Sequence, residues 1–294
     1  EGDFVSTVLE ESRFSIELAP YPSPGWKRMD FDTITLILPE GWTGFDKVEE
    51  IAHILEEGLE IQYAATGRSE YEREYFILSR WNEPDISAFA AGNKVVFDAE
   101  DRFCRNIFPW FVAFHETGHT VSLSHSGFRE LYLRNASVPS ETATLRDEWW
   151  ESWASFFSIY ALRELEARET EPYSTYATVF SEMADRELAE GEAEYENYAS
   201  TAEISDITRL TYLPLMSEAA SQTGMEEFIR SFFSGLTRVE KCDHITGTKE
   251  MNDEERNIML HSGSAAIISA MNGIPADRLF RRRSEEHTSE LQSL

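Results

Sequence analysis

This sequence is short of positive charge. Of its 294 residues only five are lysine, and Lys and Arg together number 26 against 54 Asp and Glu, a formal net charge of −28 at pH 7. A chain this acidic lacks the basic face that neutralises nucleic-acid phosphates, and an anionic membrane surface would repel it. Cysteine is nearly missing as well. Cys104 and Cys242 are the only two, too few for the disulfide framework of a small secreted domain, and they read as two unrelated buried thiols. Long apolar runs are absent: the longest, Ile107 to Phe114, is interrupted by Pro109 and falls far short of the ~18–20 residues that a membrane-spanning helix needs. What is present is globular composition, 41% hydrophobic and 13% aromatic, in a chain long enough for one large domain or two subdomains sharing a cleft. An acid excess of this kind occurs in salt-adapted proteins. Glu dominates over Asp here, however, and a run such as Glu187 to Glu196 reads as a solvated helix face.

The two ends carry expectations of their own. The chain begins at Glu1 rather than Met, which fits a removed signal peptide and a sequence begun inside its gene equally well, so no compartment is assigned. Residues Arg283 to Ser293, RSEEHTSELQS, are what a widely used short-read sequencing adapter encodes in one reading frame. Residues 283–294 are therefore expected to be non-native, with no function for His287.

Between these ends the pattern changes once. Phe14–Ala19, Thr33–Leu38, Tyr75–Leu78 and Lys94–Phe97 have the short β-branched and aromatic content of strands, with a helix from Asp46 to about Tyr63 among them. From Asn106 a long apolar helix is expected to run through His119 and stop at Gly127. After a polar loop, residues 135–144, the rest reads as helices at Asp147–Glu166, Thr175–Ala189, Asp206–Thr223, Glu226–Leu236 and Asp253–Met271, punctuated by Gly191, Gly224, Gly235 and Gly273. The expectation is an α+β fold: a sheet-and-helix half over 1–127, a helical half over 128–282, and the most chemically loaded helix at the seam.

That helix carries His115-Glu116-Thr117-Gly118-His119, an HExxH motif. Residues four apart on a helix share a face, so both imidazoles can reach one zinc ion, and Glu116 beside them can act as the base that deprotonates an attacking water. Seven His and 41 Glu in 294 residues give about 0.02 such matches by chance. Phe108, Trp110, Phe111, Val112 and Phe114 just before the motif mark a buried helix, where unpaired imidazoles and a carboxylate would be costly.

Two third ligands are conceivable. His115 to His125 has the HExxHxxGxxH spacing of metzincins, and HETGHTVSLSHS resembles the corresponding segment of matrixin-type peptidases. Ser122 stands where those peptidases have the Gly that ends the helix, and no Met-turn follows before Met183. On an unbroken helix His125 lies about 240° beyond His119 and faces away from the metal. The other candidate is Glu151. Glu148, Glu151, Ser155 and Ser158 form one polar stripe, flanked by Trp149, Trp153, Phe156 and Tyr160 on one side and by Trp150, Ala154, Phe157 and Ala161 on the other. A carboxylate row sunk between aromatic stripes needs a cation, from a metal ion or from an Arg elsewhere. The segment Asp147 to Phe157 resembles the glutamate helix of gluzincins, notably lethal-factor-type peptidases, which implies Glu151 as the third zinc ligand. In that family the position of Ser155 often holds an acidic residue that orients a ligand His.

The resemblance covers Lys94 to Tyr160 and favours Glu151, because the missing Gly at Ser122 has a structural consequence. It implies a zincin-like fold, one zinc held by His115, His119 and Glu151, Glu116 as general base, and a peptide or protein substrate. Residues 88–97 would then supply the edge strand for an extended substrate, and Tyr160, Tyr212, His244 or His261 an oxyanion donor. The alternatives are a metzincin-like peptidase using His125 and a non-catalytic peptide-binding relative, against which retention of Glu116 speaks.

Overall fold

The computed structural model describes residues 26–39, 47–68, 71–79, 88–98, 108–129, 143–201 and 208–239. Cys104, Cys242, His244, His261, the expected strand at 14–19, the expected helix at 253–271 and the tail at 283–294 lie outside them, as does the Glu148 side chain.

The fold is α+β. Strands β1 (Trp26–Asp30), β2 (Ile34–Pro39), β3 (Glu74–Ser79), β4 (Ala88–Ala90) and β5 (Lys94–Asp98) form one mixed sheet in the order β1-β2-β3-β5-β4. β1 and β4 pair antiparallel at the two edges, while β2, β3 and β5 run parallel inside. Ile34 to Leu38 are buried without a break, the near-continuous burial expected of an interior parallel strand. Ile37, Ile77 and Val96, cross-strand neighbours, form a cluster on one face with Trp26, Tyr75 and Phe89 packed against it. Arg73 ties down the β1–β2 turn by donating to the carbonyls of Phe31, Asp32 and Ile34. The stretch from 88 to 97 is not one strand. It is a hairpin turning at Gly92 (φ 62°), a conformation that costs glycine little, and its edge is the three-residue β4.

The helices are α1 (Val48–Ala65), α2 (Trp110–Ser124), α3 (Ala143–Glu166), α4 (Tyr173–Thr201), α5 (Leu213–Thr223) and α6 (Met225–Val239). By internal contacts the chain separates into two units, residues 1–52 with 73–108 and residues 53–72 with 109–294, so α2 groups with the later helices. None of the described helices is long and apolar enough to cross a membrane.

Several expected boundaries are corrected. α2 begins at Trp110, after Pro109, rather than at Asn106, and ends at Ser124 rather than running to Gly127. α5 begins at Leu213 rather than Asp206, with Pro214 in its first turn. α4 does not stop at Ala189 but continues through Gly191 to Thr201. Gly191 is a packing residue: a Cβ there would come within 3.2 Å of the Leu213 Cβ and 3.4 Å of the Leu210 carbonyl oxygen. Gly235 likewise lies inside α6. Gly224 does end α5, with φ 90° and its N–H donating to the Ala220 carbonyl.

α3 is the centre of the helical unit. Every residue from Ser152 to Leu162 is buried, because α2, α4 and α6 all pack around it. On one side Trp153 meets Phe232 at 4.1 Å and stacks on Phe228 at 5.9 Å between ring centroids. On another, Ser155 and Ser158 face α2.

Candidate metal centre

Contacts at its start, from α1 and from α3 fix α2. Pro109 blocks helix at Phe108 and supplies the carbonyl that accepts from Ala113 N–H, so the helix starts just there. From α1, the Gln62 amide donates to the Phe114 carbonyl at 2.7 Å and accepts from the Thr117 hydroxyl at 2.6 Å, while Gly58 leaves room for the Phe114 ring. From α3, Ser158 donates to the Phe111 carbonyl at 2.8 Å. All are buried, and together they set the rotation of α2 about its axis.

With that rotation, His115, His119 and Glu151 converge. His115 Nε2 lies 2.8 Å from Glu151 Oε2, and His119 Nε2 lies 3.3 Å from Glu151 Oε1. One ligand atom from each of the three lies within 4.8 Å of the others. The imidazole rings are nearly perpendicular, 4.8 Å apart between centroids, and His119 also packs on Trp150 at 4.1 Å. Among the described residues, the ion pairs of Glu151 are with these two imidazoles and with no Arg or Lys.

The electrostatics follow the burial. Burial pushes the His115 pKa down and outweighs Glu151. At His119 burial also pushes down, but the charge of Glu151, with a smaller contribution from Glu116, holds it above its ordinary value. Burial raises Glu151, yet the His119 charge and hydrogen bonds from both imidazoles hold its carboxyl well below the usual range. Glu116, within the motif, is buried and acts on His119.

His115 Nδ1 lies 3.2 Å from Ser155 Oγ. Ser155, noted in the sequence as a departure because the position is not acidic, thus presents a hydroxyl to His115. His119 Nδ1 is buried without a hydrogen-bond partner among the described residues.

His125 lies apart from the three, though not for the expected reason. α2 breaks before it: His125 is extended (φ −83°, ψ 120°) and caps the helix by donating its N–H to the Ser122 carbonyl. Serine back-bonding, Ser122 to the His119 carbonyl and Ser124 to the Val121 carbonyl, loosens the last turn. Arg68 then takes the Ser124 carbonyl at 2.6 Å. The His125 ring is delivered to Phe233, 5.2 Å away, and not to His115 and His119. Of the possible oxyanion donors, Tyr160 is buried, which with Glu164 and Glu226 raises its phenol pKa, and Tyr212 is buried just before α5.

Two imidazole nitrogens and a carboxylate suit a metal ion. Zinc bonds of ~2.0–2.1 Å put tetrahedral ligand atoms about 3.3 Å apart; one ligand atom from each of the three residues lies within 4.8 Å of the others here, and the 2.8 and 3.3 Å separations run to the two different oxygens of Glu151. Three protein ligands would leave a fourth position of a four-coordinate ion open. No protein-family model matches the chain, and no curated protein and no solved structure is significantly similar to it.

Proposed function

We propose that this chain is a zinc-dependent peptidase of the gluzincin kind, with His115, His119 and Glu151 holding the metal and Glu116 as general base. The observation that carries the reading is the convergence of both HExxH imidazoles on the single carboxylate of Glu151. When bound, zinc would polarise a substrate carbonyl and lower the pKa of a water toward ~7. The remaining chemistry belongs to the chain. Glu116 takes the proton of the attacking water on its carboxylate and returns it to the leaving amine as the peptide bond breaks. Its burial beside His119 keeps that proton transfer out of bulk solvent. Ser155 steadies the His115 ring.

The test is Glu116→Gln, assayed on a mixed peptide library. The variant should keep its zinc and lose about 10²–10⁴-fold in hydrolysis, because only proton transfer is removed. Loss of zinc together with activity would make Glu116 a structural residue and contradict the reading.

A further inference from the structure

The two imidazoles of the metal site are not held alike. His115 Nδ1 meets the Ser155 hydroxyl at 3.2 Å, whereas His119 Nδ1 is buried without a hydrogen-bond partner among the described residues. A histidine ring turns about χ2 in a broad, roughly two-fold well, so a ring lacking such a bond is kept in place by what packs on it. For His119 that is the His115 ring, nearly perpendicular at 4.8 Å, and the Trp150 indole, tilted by 57° at 4.1 Å between centroids. The indole is anchored in turn. Its Nε1–H donates to Ser122 Oγ at 3.2 Å, and the Ser122 hydroxyl donates to the His119 carbonyl at 3.0 Å. Ser122 is wholly buried, and its hydroxyl serves both bonds, having one proton to give and lone pairs with which to accept. The contacts close a triangle that starts at the His119 carbonyl and returns, through Ser122 and Trp150, to the His119 ring.

We propose, on the zinc-site reading above, that Trp150 is a positioning residue for the metal centre: its indole sets the ring orientation of His119, and Ser122 anchors the indole. Trp150 immediately precedes Glu151 on α3, so one helix turn supplies both the carboxylate and the ring that meet His119. A ligand nitrogen must point its lone pair at the ion, and a ring free to turn holds it there only part of the time. Close packing on the indole removes that freedom without a hydrogen bond to the ring. Ser122 stands where matrixin-type peptidases have glycine, and a glycine would offer the indole N–H no hydroxyl. The serine at that position thus serves the imidazole three residues before it.

The experiment is a double-mutant cycle of Ser122→Ala and Trp150→Phe on the full chain. It reads zinc affinity by chelator competition, the visible absorption spectrum of the cobalt-substituted protein, and the melting temperature of the metal-free protein. Ser122→Ala removes the anchor inside a helix, where alanine is favoured, and Trp150→Phe keeps an aromatic ring but loses the N–H. Trp150 is only partly buried, so neither change should lower the metal-free melting temperature appreciably. Each should weaken zinc binding by about three- to tenfold, at or below the ~10–100-fold typical of partners bonded directly to a metal ligand, and each should shift the cobalt spectrum. In the Trp150→Phe background Ser122→Ala should cost nothing more and shift the spectrum no further, because the bond through which it acts is already gone. Equal losses from Ser122→Ala in both backgrounds would overturn the anchoring, as would no loss in either, or losses matched by a fall of several degrees in the metal-free melting temperature. A wild-type chain that takes up no zinc would overturn the zinc-site reading and the role of Trp150 with it; zinc uptake without coupling overturns the role of Trp150 alone.

Discussion

Gly118, inside the HExxH motif, lies against the backbone of Ala154 on α3: a Cβ on Gly118 would meet the Ala154 Cα and carbonyl oxygen, each at 3.0 Å. Backbone atoms cannot swing aside as a side-chain end can, so the absence of a side chain at 118 sets how closely α2 and α3 approach. Glu151 is one turn before Ala154, and His115 and His119 flank Gly118. The approach is therefore what lets one carboxylate reach both imidazoles.

Gly118→Ala separates two opposed effects. In a helix interior the change gains up to ~1 kcal/mol of propensity, while overpacking against backbone costs about 1–3 kcal/mol. The second wins here. The variant should melt several degrees lower and bind zinc more weakly as α2 and α3 part, read by thermal denaturation with and without zinc. A variant that is stabilised and binds zinc normally would show that the two helices are not held at this distance.

Zinc binding should release protons and weaken toward acid pH. Both imidazoles must be neutral to bind a metal. Burial already favours neutral His115, whereas at His119 the charge of Glu151 outweighs burial and favours the protonated form. For folding alone, the raised His119 pKa contributes stability that is full below the unfolded value of about 6.5 and lost as pH rises through the folded value. For zinc the sign is opposite, because the His119 proton must leave. Calorimetric titration in buffers of different ionisation enthalpy should find about one proton displaced at mildly acidic pH. An affinity flat between about pH 5 and pH 8 would contradict this assignment.

The parts of this picture legible in the sequence are those set by local spacing. The i, i+4 pair His115 and His119 and the stripe of Glu151, Ser155 and Ser158 each put their members on one helix face, and the packing of α2 against α3 brings those faces together. The end of α2 was not legible, because it depends on Arg68, 56 residues earlier, taking the Ser124 carbonyl. Gly191 misled for a similar reason: its small size serves a contact with Leu213 rather than a helix stop. Glu187 was hidden by its neighbours, since nothing in an acidic run distinguishes the one carboxylate that turns inward. Strand β1 was missed because Lys27, Arg28 and Asp30 are exposed on an edge strand, where apolar alternation is weak.

The measurement that bears most directly on the account is zinc content after purification and zinc supplementation, compared among the wild type, Glu151→Ala, Glu148→Ala with Glu151→Ala, and His125→Ala. The wild type should carry about one zinc per chain. His125→Ala should keep it, because that ring packs on Phe233. Glu151→Ala should lose most of it, leaving two imidazoles to hold the ion, and the double variant should lose the rest if Glu148, one turn earlier on α3, substitutes as ligand. Zinc retained in the double variant but lost in His125→Ala would contradict the account and assign the third ligand to His125.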